Sequence, residues 1–357
     1  MRIALSGYYG FDNAGDEALL SAITSSVREL APEAEFVVFS GNPGNTSKVH
    51  GIPAVYYKSP LKVMRSLMNS DLLISGGGSI FQDITSGRSL PYYIGVVALA
   101  KLIGRPVMFY AQGVGPINRK LSKFLMRLVG NRVNLISLRD RESARLLQEI
   151  GVTRPPVMIT ADPVLALQPG TSDQENIAAC CSGWGIGNKP LICVSVRHWP
   201  ALDGYQQDLA RVLDRLAGCG YTILFVPMAW PEDIPESRLI MSLMEENSSI
   251  VDRKLNSKEL LALISRSEML LGMRLHALIF AASQGVLFAG ISYDPKVEAF
   301  LHSYGLEPLP LAYDLMQERI QQLLDSGEMR EDITRRSLDL RSKSKENAIL
   351  ALSLIKT

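Results

Sequence analysis

The sequence predicts an α/β protein of two doubly wound parallel sheets, each covered by helices, with a ligand cleft between the two domains. Three observations predict it. Short apolar runs recur without polar alternation, as strands buried on both faces do. Segments with helical apolar spacing separate them, which a parallel sheet requires because each crossover carries a helix. The pattern then restarts after "LQPGTSDQEN" (167–176), a polar Pro/Gly stretch that reads as a linker. A chain of 357 residues is long enough to give both halves a core.

In the first half the strands are "RIALS", "EFVVFS", "DLLIS", "PVMFYAQ", "NLISLR" and "PVMITA". Helices such as "DEALLSAITSSVREL" and "DRESARLLQEIG" lie between them, with acidic residues in the first turn, where the helix dipole favours them. In the second half the strands are "LICVSV", "YTILFVP", "SIVD", "EMLLG" and "VLFAGIS", separated by "QDLARVLDRLAGCG" and "SKELLALISRS". The chain ends in a polar, basic helical segment, "EDITRRSLDLRSKSKENAILALSLIK". The expected domains are residues 1–168 and 174–334, with a C-terminal helix at 335–357 packing back on the first.

A net charge of +1 gives no global argument for nucleic-acid binding. Cys180, Cys181, Cys193 and Cys219 form no metal-ligand spacing and read as reduced thiols, which fits a cytoplasmic protein. "MRIALSG" reads as a strand at once, so no signal peptide is expected. The apolar runs are broken too early for a spanning helix.

Chemistry is expected beyond the carboxyl ends of the strands, where open parallel sheets bind ligands. In "MLLGMRLHALIFAASQG" a strand ends, "GM" turns, and a helix begins and closes at Gly285. Arg274 and His276 therefore stand at a strand end and a helix amino terminus. That position suits a phosphate or carboxylate, with the arginine fork adding a bidentate contact. A histidine beside a bound anion can move a proton near neutral pH. The competing reading is an interdomain ion pair with a capping histidine. "LICVSVRHWP" places Arg197 and His198 at a second strand end, where an arginine can close on the same anion or simply begin a solvated loop.

In the first half, "SGYYGFDNAGDEALL" lacks the G-x-G-x-x-G spacing of a dinucleotide fingerprint. Its Asp12, Asn13, Asp16 and Glu17 are oxygen-rich groups suited to hydroxyls, although Asp16 and Glu17 also serve a helix's first turn. "LLISGGGSIFQD" places Gly76, Gly77 and Gly78 where a backbone can approach a ligand closely. "AQGVGP" and "TADP" are further strand-end turns. The pattern implies a polyol meeting an anionic donor. The amphipathic "RKLSKFLMRLVGNR" (119–132) has Leu121, Phe124, Leu125 and Leu128 on one side. It reads as a core-packed helix with a solvated basic face, in preference to a membrane-surface patch.

The ordered set "GYYGFDNAGDEALL", "ISGGGSIFQD", "AQGVGPI", "SLRDRESARLLQEIGV", "ADPVLAL", "SVR", "MRLHALIFAASQGV" and "GISYDPKV" resembles the polysaccharide pyruvyl transferases over nearly the whole chain. Within that family it is most similar to the bacterial enzymes that place a 4,6-linked pyruvate ketal on N-acetylmannosamine of secondary cell-wall polymers. The resemblance implies a glycosyltransferase-B-like fold of two Rossmann-like domains with the active site in the cleft. It implies phosphoenolpyruvate as co-substrate, no cofactor, no metal, and a lipid-diphosphate-linked glycan acceptor. Work at the inner face of the cell membrane and peripheral contact with it follow from such an acceptor.

Carried over by motif, Arg274 and His276 match the family's R-x-H and Arg197 the arginine of its S-V-R; in relatives these hold phosphoenolpyruvate and serve proton transfer. The expected catalytic residues are thus His276 as acid, Arg274, and Asp16 as base. The expected substrate-binding residues are Arg197, Asn13, Gly77, Gly78 and Lys296, the last toward a diphosphate. The alternative enzyme is a glycosyltransferase or epimerase acting on a nucleotide sugar. A glycan- or lipid-diphosphate-binding scaffold is the non-catalytic reading, and the R-x-H pair argues against it.

Overall fold

Non-alternating strands pair in parallel in both sheets, as their composition predicts. The computed structural model describes residues 1–83, 89–202 and 204–355. The last two residues of the expected C-terminal helix lie outside these. The chain forms two compact units, Met1–Leu167 with Leu340–Thr357, and Gln168–Asp339.

The first unit runs β1 (Arg2–Tyr9), α1 (Ala14–Leu30), β2 (Glu35–Ser40), α2 (Pro43–His50), β3 (Ala54–Tyr56), α3 (Pro60–Met68) and β4 (Leu72–Gly76). It continues through α4 (Ser89–Leu102), β5 (Val107–Gln112), α5 (Lys120–Gly130), β6 (Leu135–Leu138), α6 (Arg141–Ile150) and β7 (Val157–Ile159). The sheet order is β3-β2-β1-β4-β5-β6-β7, so the winding reverses between β1 and β4, where Ser6 pairs with Ser75. One face is cored by α3, α4, α5 and α6 through Val63, Val97, Met126 and Leu147. The other is cored by α1 through Leu20, Ile23 and Val27.

The second unit runs α7 (Thr171–Cys180), β8 (Leu191–Ser195), α8 (Tyr205–Gly218), β9 (Thr222–Phe225), α9 (Ile234–Leu243) and β10 (Ser248–Ile250). Then follow α10 (Ser257–Ile264), β11 (Met269–Gly272), α11 (Leu275–Ser283), β12 (Leu287–Gly290), α12 (Pro295–Ser303), α13 (Tyr313–Asp325) and α14 (Gly327–Leu352). Its order, β10-β9-β8-β11-β12, puts the reversal between β8 and β11. The distal part of α14 belongs to the first unit, where Ala348 and Ala351 join the α1 core and the buried Asn347 accepts from Thr160 Oγ1 at 2.8 Å.

Two readings of the sequence are corrected. The polar stretch 167–176 is not all linker, because α7 starts at Thr171 and Asp173 turns back to accept from Gly170 N at 2.9 Å. Its polarity is that of a helix's first turn. Nor do Leu121, Phe124 and Leu128 face the core: they are exposed, and α5 instead buries Ser122, Met126, Val129 and Gly130. Small residues on that side let the helix approach its neighbours closely; a Cβ on Gly130 would meet Val152 at 3.1 Å.

The motif glycine Gly113 has a local reason. Arg139 donates to Asp162 at 2.7 Å and to Ser79 at 2.9 Å, and its guanidinium lies over Gly113, where a Cβ would stand 2.6 Å from Nε. The Arg139–Asp162 pair is nearly solvent-free, so it has little room to yield without breaking. Gly113→Ala is therefore expected to cost about 1–3 kcal/mol, read by urea unfolding. An unchanged midpoint would show that Arg139 yields without loss.

Candidate active site

The two arginines singled out in the second unit occupy equivalent places. Ser195 of β8 and Gly272 of β11 are register partners, and Met273 N donates to Ser195 O at 2.8 Å. Arg197 and Arg274 each follow their partner residue by two positions, so they flank the point where the winding reverses. Open α/β sheets bind ligands there. His276 follows in the first turn of α11, and its Nε2 is sealed from solvent.

Arg197 lies against two aromatic rings, its guanidinium carbon 5.2 Å from the Trp199 centroid and 5.1 Å from that of Tyr293. Nη1 donates to Tyr293 Oη at 3.3 Å. Its Nε is buried and has no hydrogen-bond partner among the described residues. Such a donor costs free energy unless something accepts from it. The loop bearing Arg197 is underpinned by Glu236, which is buried and accepts from Tyr205 Oη at 2.7 Å and Gln206 Nε2 at 3.0 Å. Burial, and then the Glu236 carboxylate, push the Tyr205 phenol well above its ordinary pKa, so it remains a donor. His198 is mostly exposed and reaches the same carboxylate at 3.4 Å.

Arg274 is held by Asp233, a partner that the sequence did not reveal. Nε donates to Oδ2 at 3.1 Å and Nη2 to Oδ1 at 2.5 Å, and Asp233 is fully buried. The aspartate also accepts from Met228 N at 3.2 Å and Ala229 N at 2.9 Å, in the loop after β9. One edge of the guanidinium is thereby used, leaving the Nη1–Nη2 edge as the side with donors for an anion. The ion pair read as an alternative is present, but within this unit. Asp233→Asn keeps an acceptor for the loop amides but removes the counter-charge. It is expected to cost about 1.5–3 kcal/mol in urea unfolding and to weaken donor use. Wild-type values for both would remove Asp233 as the group that aims Arg274.

Lys296 stands in the first turn of α12, after β12, where its backbone N–H is taken by the Asp294 cap at 2.9 Å. Beside it, Tyr293 of the "SYDPK" run contacts Arg197, a role that spacing alone did not disclose.

In the first unit the remaining residues gather at the β1/β4 reversal. Asn13 caps α1, its Oδ1 accepting from Gly15 N at 3.0 Å, which leaves its amide N–H groups to donate to a ligand. Glu17 is structural: it accepts from Gly10 N and pairs with His50, each at 2.7 Å. Gly77 and Gly78 have φ of +61° and +73°, the left-handed region where glycine carries no penalty. A Cβ on Gly77 would strike Leu19 at 2.9 Å, and one on Gly78 would stand 3.2 Å from Asp16 Oδ1. The Asp16 carboxylate thus lies against the second glycine turn. Nearby, the exposed rings of Tyr8 and Phe11 stack at 4.3 Å, and edge contacts continue through Tyr57 to Tyr92. The sequence reading overlooked this aromatic platform because its members come from three separate segments.

Two doubly wound units, each presenting ligand-suited groups where its winding reverses, define the glycosyltransferase-B class of fold. Among solved structures the chain is similar to UDP-GlcNAc 2-epimerase from Neisseria meningitidis bound to UDP-GlcNAc (11% identity, 100% of both chains, TM-score 0.67). It is similar also to Anabaena HepE in complex with UDP-glucose (14% identity, 99% of this chain and 98% of that one, TM-score 0.65). Residues 13–295 match the profile of the polysaccharide pyruvyl transferases, and the chain belongs to that family. It is 22% identical over 277 residues to the amylovoran biosynthesis protein AmsJ of Erwinia amylovora, a match that spans 73% of this chain and 64% of that protein.

Proposed function

We propose that this protein transfers the pyruvate unit of phosphoenolpyruvate onto two hydroxyls of one sugar as a ketal, with release of phosphate. The acceptor is the N-acetylmannosamine of a lipid-diphosphate-linked disaccharide, pyruvylated at its 4- and 6-hydroxyls for a secondary cell-wall polysaccharide. Membership of the family supports the reaction class. The observation that carries the donor is the pair Arg197 and Arg274, set two residues beyond register-paired strand ends with His276 in the adjoining helix turn. Arg197 is set against Trp199 and Tyr293 with Nη1 donating to Tyr293 Oη, and Arg274 has a free edge aimed by Asp233.

Two guanidinium groups suit a donor with a carboxylate and a phosphate. His276 protonates the methylene carbon, which becomes the methyl group and leaves C2 cation-like. A first sugar hydroxyl adds to C2 and gives up its proton, for which Asp16 is the base. The C2–oxygen bond to phosphate then breaks, and the second hydroxyl adds at the same carbon. One hydroxyl proton balances that delivered to the methyl group; the other leaves with phosphate. The arginines stabilise charge on the donor throughout. The exposed rings of Tyr8 and Phe11 offer a face on which a sugar ring can stack.

Ligand protection separates this reading from a nucleotide-sugar enzyme of the same fold. Phosphoenolpyruvate is expected to raise the melting temperature of the wild type but not of an Arg197→Ala variant. Protection by a UDP-sugar, with none by phosphoenolpyruvate, would transfer the site to the other class.

A further inference from the structure

One surface of the first unit takes no part in the chemistry above. On α3, Leu61, Met64 and Met68 form an exposed stripe at positions i, i+3 and i+7, and on α5 Leu121, Phe124 and Leu128 repeat that spacing. Leu61 is 73% exposed and Phe124 60%. Both helices bury their opposite sides, so neither stripe serves the fold. Between them lies α4, whose last residue, Leu102, is 84% exposed.

The three helix ends are joined by hydrogen bonds. Arg105, after α4, donates to Met68 O at 2.6 Å, and Lys101 donates to Asn134 Oδ1, after α5, at 2.7 Å. The three helices are thus tied into one rigid face that carries both stripes and Leu102. Exposed apolar surface of this kind marks a binding face.

Its charge identifies what it binds. No Asp or Glu occurs among the 56 residues between Asp83 and Asp140, whereas nine Lys or Arg do, in a chain of net charge +1. Lys62 and Arg65 flank the stripe on α3, and Lys120, Lys123 and Arg127 flank that on α5. None of these five has an ion-pair partner among the described residues. The cationic region ends at α6, which carries Glu142 and Glu149. A two-fold contact with a second copy would bring these cations onto one another. An anionic, apolar-cored surface satisfies both features together.

We infer that the α3–α4–α5 face docks on the anionic headgroups of a lipid bilayer, with the apolar stripes entering the interface and the flanking Lys and Arg contacting phosphates. Among the described residues no helix is long and apolar enough to cross a membrane, and the attachment is peripheral. This inference does not rest on the proposed reaction, and its test requires no activity.

The test is sedimentation of the full chain with vesicles of phosphatidylcholine alone or mixed equally with phosphatidylglycerol. Wild type is expected to bind only the mixed vesicles, and less as salt rises. Each lost cation should weaken binding about fivefold, so the combined variant Lys120→Glu, Lys123→Glu, Arg127→Glu should lose about 100-fold or more. Leu121→Ser with Phe124→Ser should weaken binding at unchanged charge. Lys48→Glu and Lys189→Glu, at exposed sites elsewhere, should each leave it at wild-type strength. Equal binding by the triple variant would overturn the inference. So would wild type that ignores mixed vesicles, or that self-associates through this face instead.

Discussion

Replacing His276 with alanine is expected to lower turnover by about 10²–10⁴-fold, the usual contribution of a positioned general acid, while phosphoenolpyruvate still binds. The reason lies in the location of the imidazole. It is the second residue of α11, two positions after the arginine that Asp233 holds, with Nε2 buried. In the proposed reaction this ring supplies the proton to a donor held by that arginine, so its loss removes the acid and leaves the anion site in place. The variant should lose kcat and keep KM for the donor, because the arginines retain the anions. Rapid-mixing phosphate release checks this, together with donor binding by calorimetry. Near-wild-type turnover would remove His276 from the chemistry.

The second large effect is expected at Arg197. Arg197→Ala should reduce kcat/KM for phosphoenolpyruvate by about 10²–10³-fold, equivalent to about 3–4 kcal/mol of lost transition-state stabilisation. This site is cleaner than Arg274, whose removal would also strand the buried Asp233 carboxylate and cost stability. Arg197 leaves only the Tyr293 hydroxyl and two ring faces behind. Arg197→Lys should recover only part of the loss, since an ammonium keeps charge but not the planar fork. Full activity in Arg197→Ala would show that the guanidinium merely packs against Trp199 and Tyr293. Calorimetry and steady-state phosphate release on the same preparations distinguish these results.

These expectations grew from features visible in the sequence. A strand, a two-residue turn and a helix fix where Arg274 and His276 stand, because a parallel sheet places every such turn at one edge. The same logic located Arg197 and brought Asp16 together with Gly77 and Gly78. What remained hidden depends on distant pairing. Asp233 lies 41 residues from Arg274, and no periodicity links an aspartate on one strand-end loop to an arginine on another. Tyr293 likewise meets Arg197 only because β8, β11 and β12 are neighbours in the sheet.

Helix α5 was opaque for a different reason. It carries apolar residues on two sides, and spacing alone does not tell which side meets a sheet. Packing selects the side with Ser122 and Gly130, where bulk is least, and the larger side chains are left exposed. The first turn of α7 resembled a linker because a capping aspartate and polar neighbours serve helix starts and loops equally well.

The measurement that tests the account most directly is phosphate release from phosphoenolpyruvate, with and without a lipid-diphosphate disaccharide ending in N-acetylmannosamine, followed by mass analysis of the acceptor. The account predicts acceptor-dependent release and an acceptor heavier by one pyruvate ketal. An acceptor that binds but leaves phosphoenolpyruvate intact and its own mass unchanged would contradict it.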